Sequence, residues 1–466
     1  MWVVSIRSSF IAMLGNTLTY KYNYWYSHAA GRTGNRPFKP VRVGREDMDG
    51  NDRRIVGLAG TAHALLHTYE LSVPILVVIW LTEFSTTAAE LGIVVSVGMA
   101  LLGLGALPGG VLADRYGSKK LIALCLAGMG GSFLVLSVAP TAAADLLDGL
   151  PLLSTSPAVV AIAIALVLWG TAASVYHPAG LALISKGVSE QGRGFALHGM
   201  AGNIGIAAGP FATAVMLAFI PWETVAVVLA VPAFVVAGAI FFVDVDESSN
   251  TDSDTDEDDT PDTIGEFLDV SAMVVKSAFA FVFVVVMMNG LYYRGVLTFL
   301  PELLAGLETF QPIEIAGEPQ EPANYVYSGL LAVGIAGQYV GGRLTDYLTP
   351  GKGIAYAFGS LAVLAVIFLP LASMGAAPLL AVSAVLGFAM FVVQPIYQAA
   401  VAEYTPEEAR GLSYGYTYLG NFGVGALGAG LAGAILTFSN QTVLFLVFAL
   451  IAAIASGIGL LLIRRE

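Results

Sequence analysis

The sequence predicts an all-α membrane protein in which twelve transmembrane helices form two pseudo-symmetric six-helix bundles. Composition, the placement of basic residues and an internal repeat lead to that prediction. Of the 466 residues, 56% are hydrophobic and 12% charged, and the mean hydropathy is +0.76. A soluble domain carries about 25% charged residues, so lipid rather than water must cover most of the outside. One helical crossing takes roughly 20 apolar residues. Hydropathy places such helices near 55–81, 88–112, 119–139, 157–184, 192–218 and 222–243, then 271–300, 325–346, 353–373, 376–402, 411–436 and 440–463.

The expected organisation is an N-terminal extension (1–53), a first six-helix bundle (54–243), an acidic linker (244–270) and a second bundle (271–466). The extension runs from a mildly apolar stretch, Met1 to Leu18, into a basic and aromatic one. It lacks a clear small-residue cleavage site, and the working protein is expected to begin at Met48. The linker holds an acidic run, Asp244 to Asp262, without a basic residue. Like charges repel, so a solvated, disordered segment is expected. Cys125, the single cysteine, falls in an apolar helix, so neither a disulfide nor redox chemistry is expected.

Lys and Arg set the orientation. The loops after helices 2, 4, 8 and 10, with their flanks, hold Arg115, Lys119, Lys120, Lys186, Arg193, Arg343, Lys352 and Arg410. Arg53 and Arg54 precede helix 1, and Arg464 and Arg465 close the chain. The loops after odd-numbered helices contain neither residue. Both termini and the linker are therefore expected on the cytoplasmic face of the cell membrane. Arg294, inside helix 7, breaks the pattern.

The halves echo each other. Gly110-Val-Leu-Ala-Asp114-Arg115-Tyr-Gly117-Ser-Lys119-Lys120 joins helices 2 and 3, and Gly342-Arg343-Leu-Thr-Asp346 recurs between helices 8 and 9. Pro178, Arg193-Gly194 and Gly202-Asn203 recur as Pro395, Arg410-Gly411 and Gly420-Asn421. Duplicated halves that rock about a midplane site are the architecture of many secondary transporters.

The Gly-x-Leu-x-Asp-Arg-x-Gly-x-Lys-Lys loop resembles the signature loop of the major facilitator superfamily, and the resemblance spans about residues 54–466. It implies that Gly110, Asp114, Arg115, Gly117 and Lys119, with Gly342, Arg343 and Asp346, form a conformational latch that holds the outward-open state and breaks on inward opening. Its glycines would let helices 2 and 11 approach closely, and Asp114 could accept from a neighbouring helix N-terminus. Three segments resemble the fosmidomycin-resistance-like branch: His63-x-x-x-His67-x-Tyr69-Glu70-x-x-x-Pro74, Tyr176-His177-Pro178-Ala-Gly180, and Gly202-Asn-x-Gly205-x-x-x-Gly209-Pro210. That branch usually carries a carboxylate after the His-Pro pair, where this chain has Ala179. The last segment also resembles part of the antiporter motif of export proteins, without its downstream Gly pair.

His63, His67 and Glu70 stand at i, i+4 and i+7, on one face of helix 1. Ionisable groups at membrane depth normally face a cavity or a partner. Glu70 is the expected proton carrier, with His67 and His63 tuning or relaying; the alternative is that the histidines only fix packing. Aligning Tyr69 with Tyr292 puts Arg294 close to the depth of Glu70. Arg294 then either binds an anionic substrate or pairs with Glu70, unless it snorkels to the interface. His177, Tyr293, Asn289, Gln394, Gln398 and Tyr397 are further candidates for substrate contact.

No phosphate-binding loop matches G-x-x-x-x-G-K-[ST], and no Ser-His-Asp spacing or Cys/His metal constellation stands out. The expectation is a secondary active transporter rather than an enzyme, without cofactor or metal, working by alternating access in proton-coupled export of a small organic or drug-like solute. Uptake of a small anion or organic acid, or a membrane sensor on a transporter scaffold, are the alternatives. Expected partners are the small-molecule substrate, a proton or other cation and the lipid bilayer, with no nucleic acid; a monomer is expected.

Overall fold

The computed structural model describes residues 48–147, 156–249, 264–307, 313–315, 318–406 and 410–465. Residues 1–47 of the expected extension (1–53) lie outside the described residues, as does most of the acidic run, while 50–53 belong to the first helix. The helices are α1 (Gly50–Glu83), α2 (Ala88–Leu104), α3 (Ala106–Tyr116), α4 (Ser118–Leu147), α5 (Pro157–Ala173), α6 (Tyr176–Gly187), α7 (Gln191–Leu217) and α8 (Trp222–Ile240). After the acidic run come α9 (Ile264–Lys276), α10 (Phe279–Ala305) and a short hairpin of β1 (Ile313–Ile315) and β2 (Glu318–Gln320). The chain ends with α11 (Pro322–Leu344), α12 (Pro350–Ala372), α13 (Ala376–Tyr404), α14 (Arg410–Tyr418), a π-helical turn (Leu419–Val424), α15 (Leu427–Phe438) and α16 (Gln441–Ile463).

Among the described residues, ten helical stretches are long and apolar enough to cross a membrane, or eleven when the bent pair α2–α3 counts as one. The 23 residues of α11 are long enough for a crossing but are not among these apolar stretches; its tyrosines, Asn324, Gln338 and Arg343 make it more polar than its neighbours. Helix 7 differs from its sequence expectation. It begins at Phe279, after a separate helix, α9, that ends at Lys276. Large apolar side chains such as Leu124, Ile164, Val231, Phe234 and Leu450 remain exposed, as lipid-facing positions must.

The packing of one half repeats in the other. The contact of α1 with α7 is answered by α10 with α15, that of α4 with α5 by α12 with α13, and that of α4 with α8 by α12 with α16. Across the interface α2 meets α15 as α11 meets α7, while α1 and α10 meet each other on the axis. Lipid gives helices no hydrophobic reason to associate, so close packing of small residues does the work. A Cβ on Gly209 of α7 would lie 2.6 Å from the Thr68 Cα of α1, and one on Gly92 of α2 would lie 2.6 Å from the Ala429 carbonyl oxygen of α15.

The end that carries the basic residues is tied differently. Asp52 accepts from the Ser189 and Glu190 amides, at 3.1 and 3.3 Å, ahead of α7. Asp244 to Ser249, expected as solvated linker, instead folds back as a strap. The Asn51 amide donates to the Asp246 carbonyl at 3.0 Å, and Arg54 donates to the Asp244 carbonyl at 2.8 Å.

Candidate functional site: a buried ion pair beside a histidine cluster

Helical spacing sets His63, His67 and Glu70 along the face of α1 that meets α7 and α10. Glu70 is 2% exposed and Arg294 of α10 is 4% exposed. Glu70 Oε1 and Arg294 Nη1 form an ion pair, joining the two halves of the molecule where they cross. The second carboxylate oxygen, Oε2, is 2.5 Å from His67 Nδ1. Two buried charges are tolerable only when paired and hydrogen-bonded, and both conditions hold here. The guanidinium lies 5.2 Å from the Phe422 ring and 5.7 Å from the Tyr293 ring. Its Nη1 also approaches Met99 Sδ of α2 at 3.7 Å. Arg294 Nε has no partner among the described residues.

From His67 a chain of imidazoles leads toward the basic end. His67 Nε2 is 3.0 Å from His63 Nε2, and His63 Nδ1 donates to the His198 carbonyl of α7 at 2.8 Å. The His198 ring stacks on His63 at 4.0 Å, and its Nε2 meets the Tyr176 hydroxyl at 3.1 Å. A Cβ on Gly202 would collide with the His63 ring, so the glycine of the Gly202-Asn203 repeat makes room for the imidazole. His177, at the start of α6, lies 5.2 Å from His63 and 5.4 Å from Tyr418, centre to centre. The break between α5 and α6, with Pro178 just after it, admits this buried polar ring without an intact helical ladder. One ring nitrogen from each of His63, His67 and His177 lies within 4.8 Å of the other two. Sequence spacing showed no such constellation because its third member comes from another helix.

The remaining candidates divide. Tyr293 flanks Arg294 and meets Phe391 of α13 at 5.9 Å. Asn289 donates to Asn421 in the π-helical turn at 2.9 Å. Tyr397 is buried and pairs with Gln398 of its own helix; Gln394 is half-buried and Gln398 exposed. Sequence reasoning missed Met99 and Phe422, apolar residues that carry no chemical signal of their own. The nearest cue was the repeated Gly420-Asn421, which marks the turn holding Phe422.

Asp114 and Arg343, both latch candidates, find separate partners. Asp114 pairs with Lys186 of α6 at 2.8 Å, within the same half. Glu247 of the strap takes the N-terminal role: its Oε2 accepts from the Ser118 amide at 2.8 Å and the Lys119 amide at 3.4 Å. A strap carboxylate reaches that helix end, while Asp114 is drawn to a cation. Gly117 holds φ +86°, a backbone that side chains rarely adopt. Arg343 donates to Tyr339 at 3.3 Å, and Gly342 and Asp346 lie in the same turn region of α11. Gly110 faces open space, so it does not mediate a close approach of helices 2 and 11 in this state. Gly92 and Gly103 of α2, against Ala429 and Gly423, do so instead.

A helical, internally repeated bundle with a buried ion pair between its halves is the architecture of many membrane transporters. The sequence matches the family model of the Major Facilitator Superfamily over residues 61–428, and the chain belongs to that superfamily. Solved structures with the same fold include a bacterial homologue of the human lysosomal transporter Spinster, inward-facing and occupied, with TM-score 0.66 and 14% identity, covering 90% of this chain and 98% of that one. A peptide transporter POT in complex with sulfate has TM-score 0.66 and 16% identity, covering 89% and 94%. A variant of the nucleoside transporter NupG has TM-score 0.66 and 14% identity, covering 88% and 99%. No curated protein matches in sequence.

Proposed function

We propose that this protein is a secondary active transporter in which a cation competes with Arg294 for Glu70, and that the competition drives alternating access. The observation that carries the reading is the buried Glu70–Arg294 ion pair, which ties α1 of one half to α10 of the other. While the pair is intact, the halves are held together at the centre. A proton arriving at the carboxylate removes the charge that holds the guanidinium, and Arg294 is freed to meet a solute. The basic end is the cytoplasmic one in this reading. The halves pack closely at the other end, through Gly92 and Gly433, while Gly110 is uncovered; these features support an inward-facing state. The antiporter-like Gly205-x-x-x-Gly209-Pro210 supports export of a small organic solute, as does the resemblance to the fosmidomycin-resistance-like branch. The unpartnered Arg294 Nε favours a second reading, transport of a small organic anion.

Reconstituted vesicles with a pH-sensitive dye inside, challenged with a panel of small organic anions, cations and neutral solutes under an imposed proton gradient, test the proposal. At least one solute should move protons in the wild type. Glu70→Gln should abolish proton movement while leaving downhill solute exchange, and Arg294→Gln should abolish both. If both variants behave as wild type, the reading fails.

A further inference from the structure

Beyond the ion pair, the histidines present an accounting problem. The His198 carbonyl can only accept, so His63 Nδ1 carries a hydrogen. Glu70 Oε2, part of a carboxylate paired with Arg294, likewise requires a hydrogen on His67 Nδ1. With each ring neutral, the lone pairs of both Nε2 atoms then face each other across 3.0 Å. Two lone pairs repel at that distance unless a cation lies between them. A single added proton would bridge two nitrogens. A third imidazole, however, stands beside the pair: one nitrogen from each of His63, His67 and His177 lies within 4.8 Å of the other two, and His177 Nε2 is buried without a hydrogen-bond partner among the described residues, on a residue 9% exposed.

We infer that His63, His67 and His177 form a binding site for a divalent transition-metal ion of the imidazole-preferring class, such as Zn²⁺ or Co²⁺. Metal-ligating histidines characteristically give their second ring N–H to a carboxylate or a backbone carbonyl, which fixes the tautomer and points the free lone pair at the ion. Both forms occur here, His67 on Glu70 and His63 on the His198 carbonyl. Zn–N bonds of about 2.1 Å in tetrahedral geometry set ligand nitrogens about 3.4 Å apart. The His63–His67 separation of 3.0 Å and the outer limit of 4.8 Å for the trio bracket that value, so side-chain adjustment of about 1 Å completes the site. Three protein nitrogens leave a fourth position open for water or a solute atom. Imidazole ligands suit Zn, Cu, Fe and Ni, whereas Mg and Ca prefer oxygen, which sets the expected selectivity.

The test is binding, so it is independent of whether the ion pair couples transport. Full-length protein, freed of any affinity tag, is dialysed against Zn²⁺, or against Co²⁺ with its visible absorption recorded. One ion per chain is expected, with the intense absorption of tetrahedral Co²⁺ and no competition from Mg²⁺. His177→Ala and His63→Gln should weaken binding at least tenfold. Glu70→Gln, which keeps all three imidazoles but takes away the carboxylate behind His67 as well as the partner of Arg294, should weaken it about 10–100-fold. X-ray absorption at the zinc edge of the wild type, which needs no variant to fold, should count three imidazole nitrogens. A wild type that binds no ion, a His177→Ala protein that binds as tightly as wild type, or fewer than three imidazoles at the edge overturns the inference. No ion in the wild type would leave the proton as the bridge between the two rings.

Discussion

Glu70 and Arg294 each leave the other uncompensated when removed, because both are shut away from water. Breaking a buried pair from one side costs about 3–5 kcal/mol, whereas removing both charges is often close to neutral. Arg294→Gln alone should therefore lower the stability of the detergent-solubilised protein by that amount, and Glu70→Gln by a similar one. The double variant should recover most of the loss. A double-mutant cycle read by thermal unfolding checks this; additive losses would mean that the two residues do not support each other in solution. At this scale the sequence was informative wherever a residue was costly. Arg294 stood out as the basic residue that broke the loop pattern, and the spacing of His63, His67 and Glu70 put them on one face. What distance along the chain could not convey is the convergence of His177 on His63, or the use of the His198 backbone carbonyl as well as its ring. Those follow from how α6 and α7 pack against α1.

The elements show a complementary contrast between what local pattern reveals and what it hides. Hydropathy marked nearly every span, because a lipid-facing helix must be apolar along its whole length. It missed the breaks, which conserve apolar character while changing the hydrogen-bond ladder: the interruption between α5 and α6, the π-helical turn at Leu419–Val424 and the gap between α9 and α10. The acidic run misled in another way. Charge repulsion accounts for a solvated linker, yet its first residues carry Glu247, whose carboxylate meets the free amides at the start of α4. An anion at a helix N-terminus satisfies orphan donors and complements the macrodipole. Glu247→Ala should cost about 1 kcal/mol, the usual loss for a removed N-terminal cap, seen as a lower unfolding temperature; Glu247→Asp should recover part of it. An unchanged unfolding temperature in Glu247→Ala would show that the strap does not hold that helix end.

For the whole molecule, the repeat made the architecture legible: a motif that recurs once per half requires two similar halves, and the packing of α1 on α7 and α10 on α15 obeys it. The conformational state was not legible, since one sequence must serve every state of the cycle. In the proposed cycle, the interface between α2 and α15 has to separate. At the end away from the basic residues, Thr437 of α15 accepts the Ala89 amide of α2 at 2.8 Å, and Ser96 donates to the Ala426 carbonyl at 2.7 Å. Gly92 and Gly433 admit no side chain there. Helices packed backbone to backbone have little room to deform, so an added side chain must drive them apart rather than be absorbed. Gly92→Val should therefore favour the state open at this end. In a Cys125→Ala background, a cysteine at Thr437 is expected to react slowly with a water-soluble maleimide when Gly92 is present. It should react several-fold faster with Gly92→Val, and solute exchange should fall because the closed interface can no longer re-form. Equal labelling rates in the two backgrounds would mean that α2 and α15 do not part during the cycle, and the alternation would then have to be sought at the contact of α7 with α11.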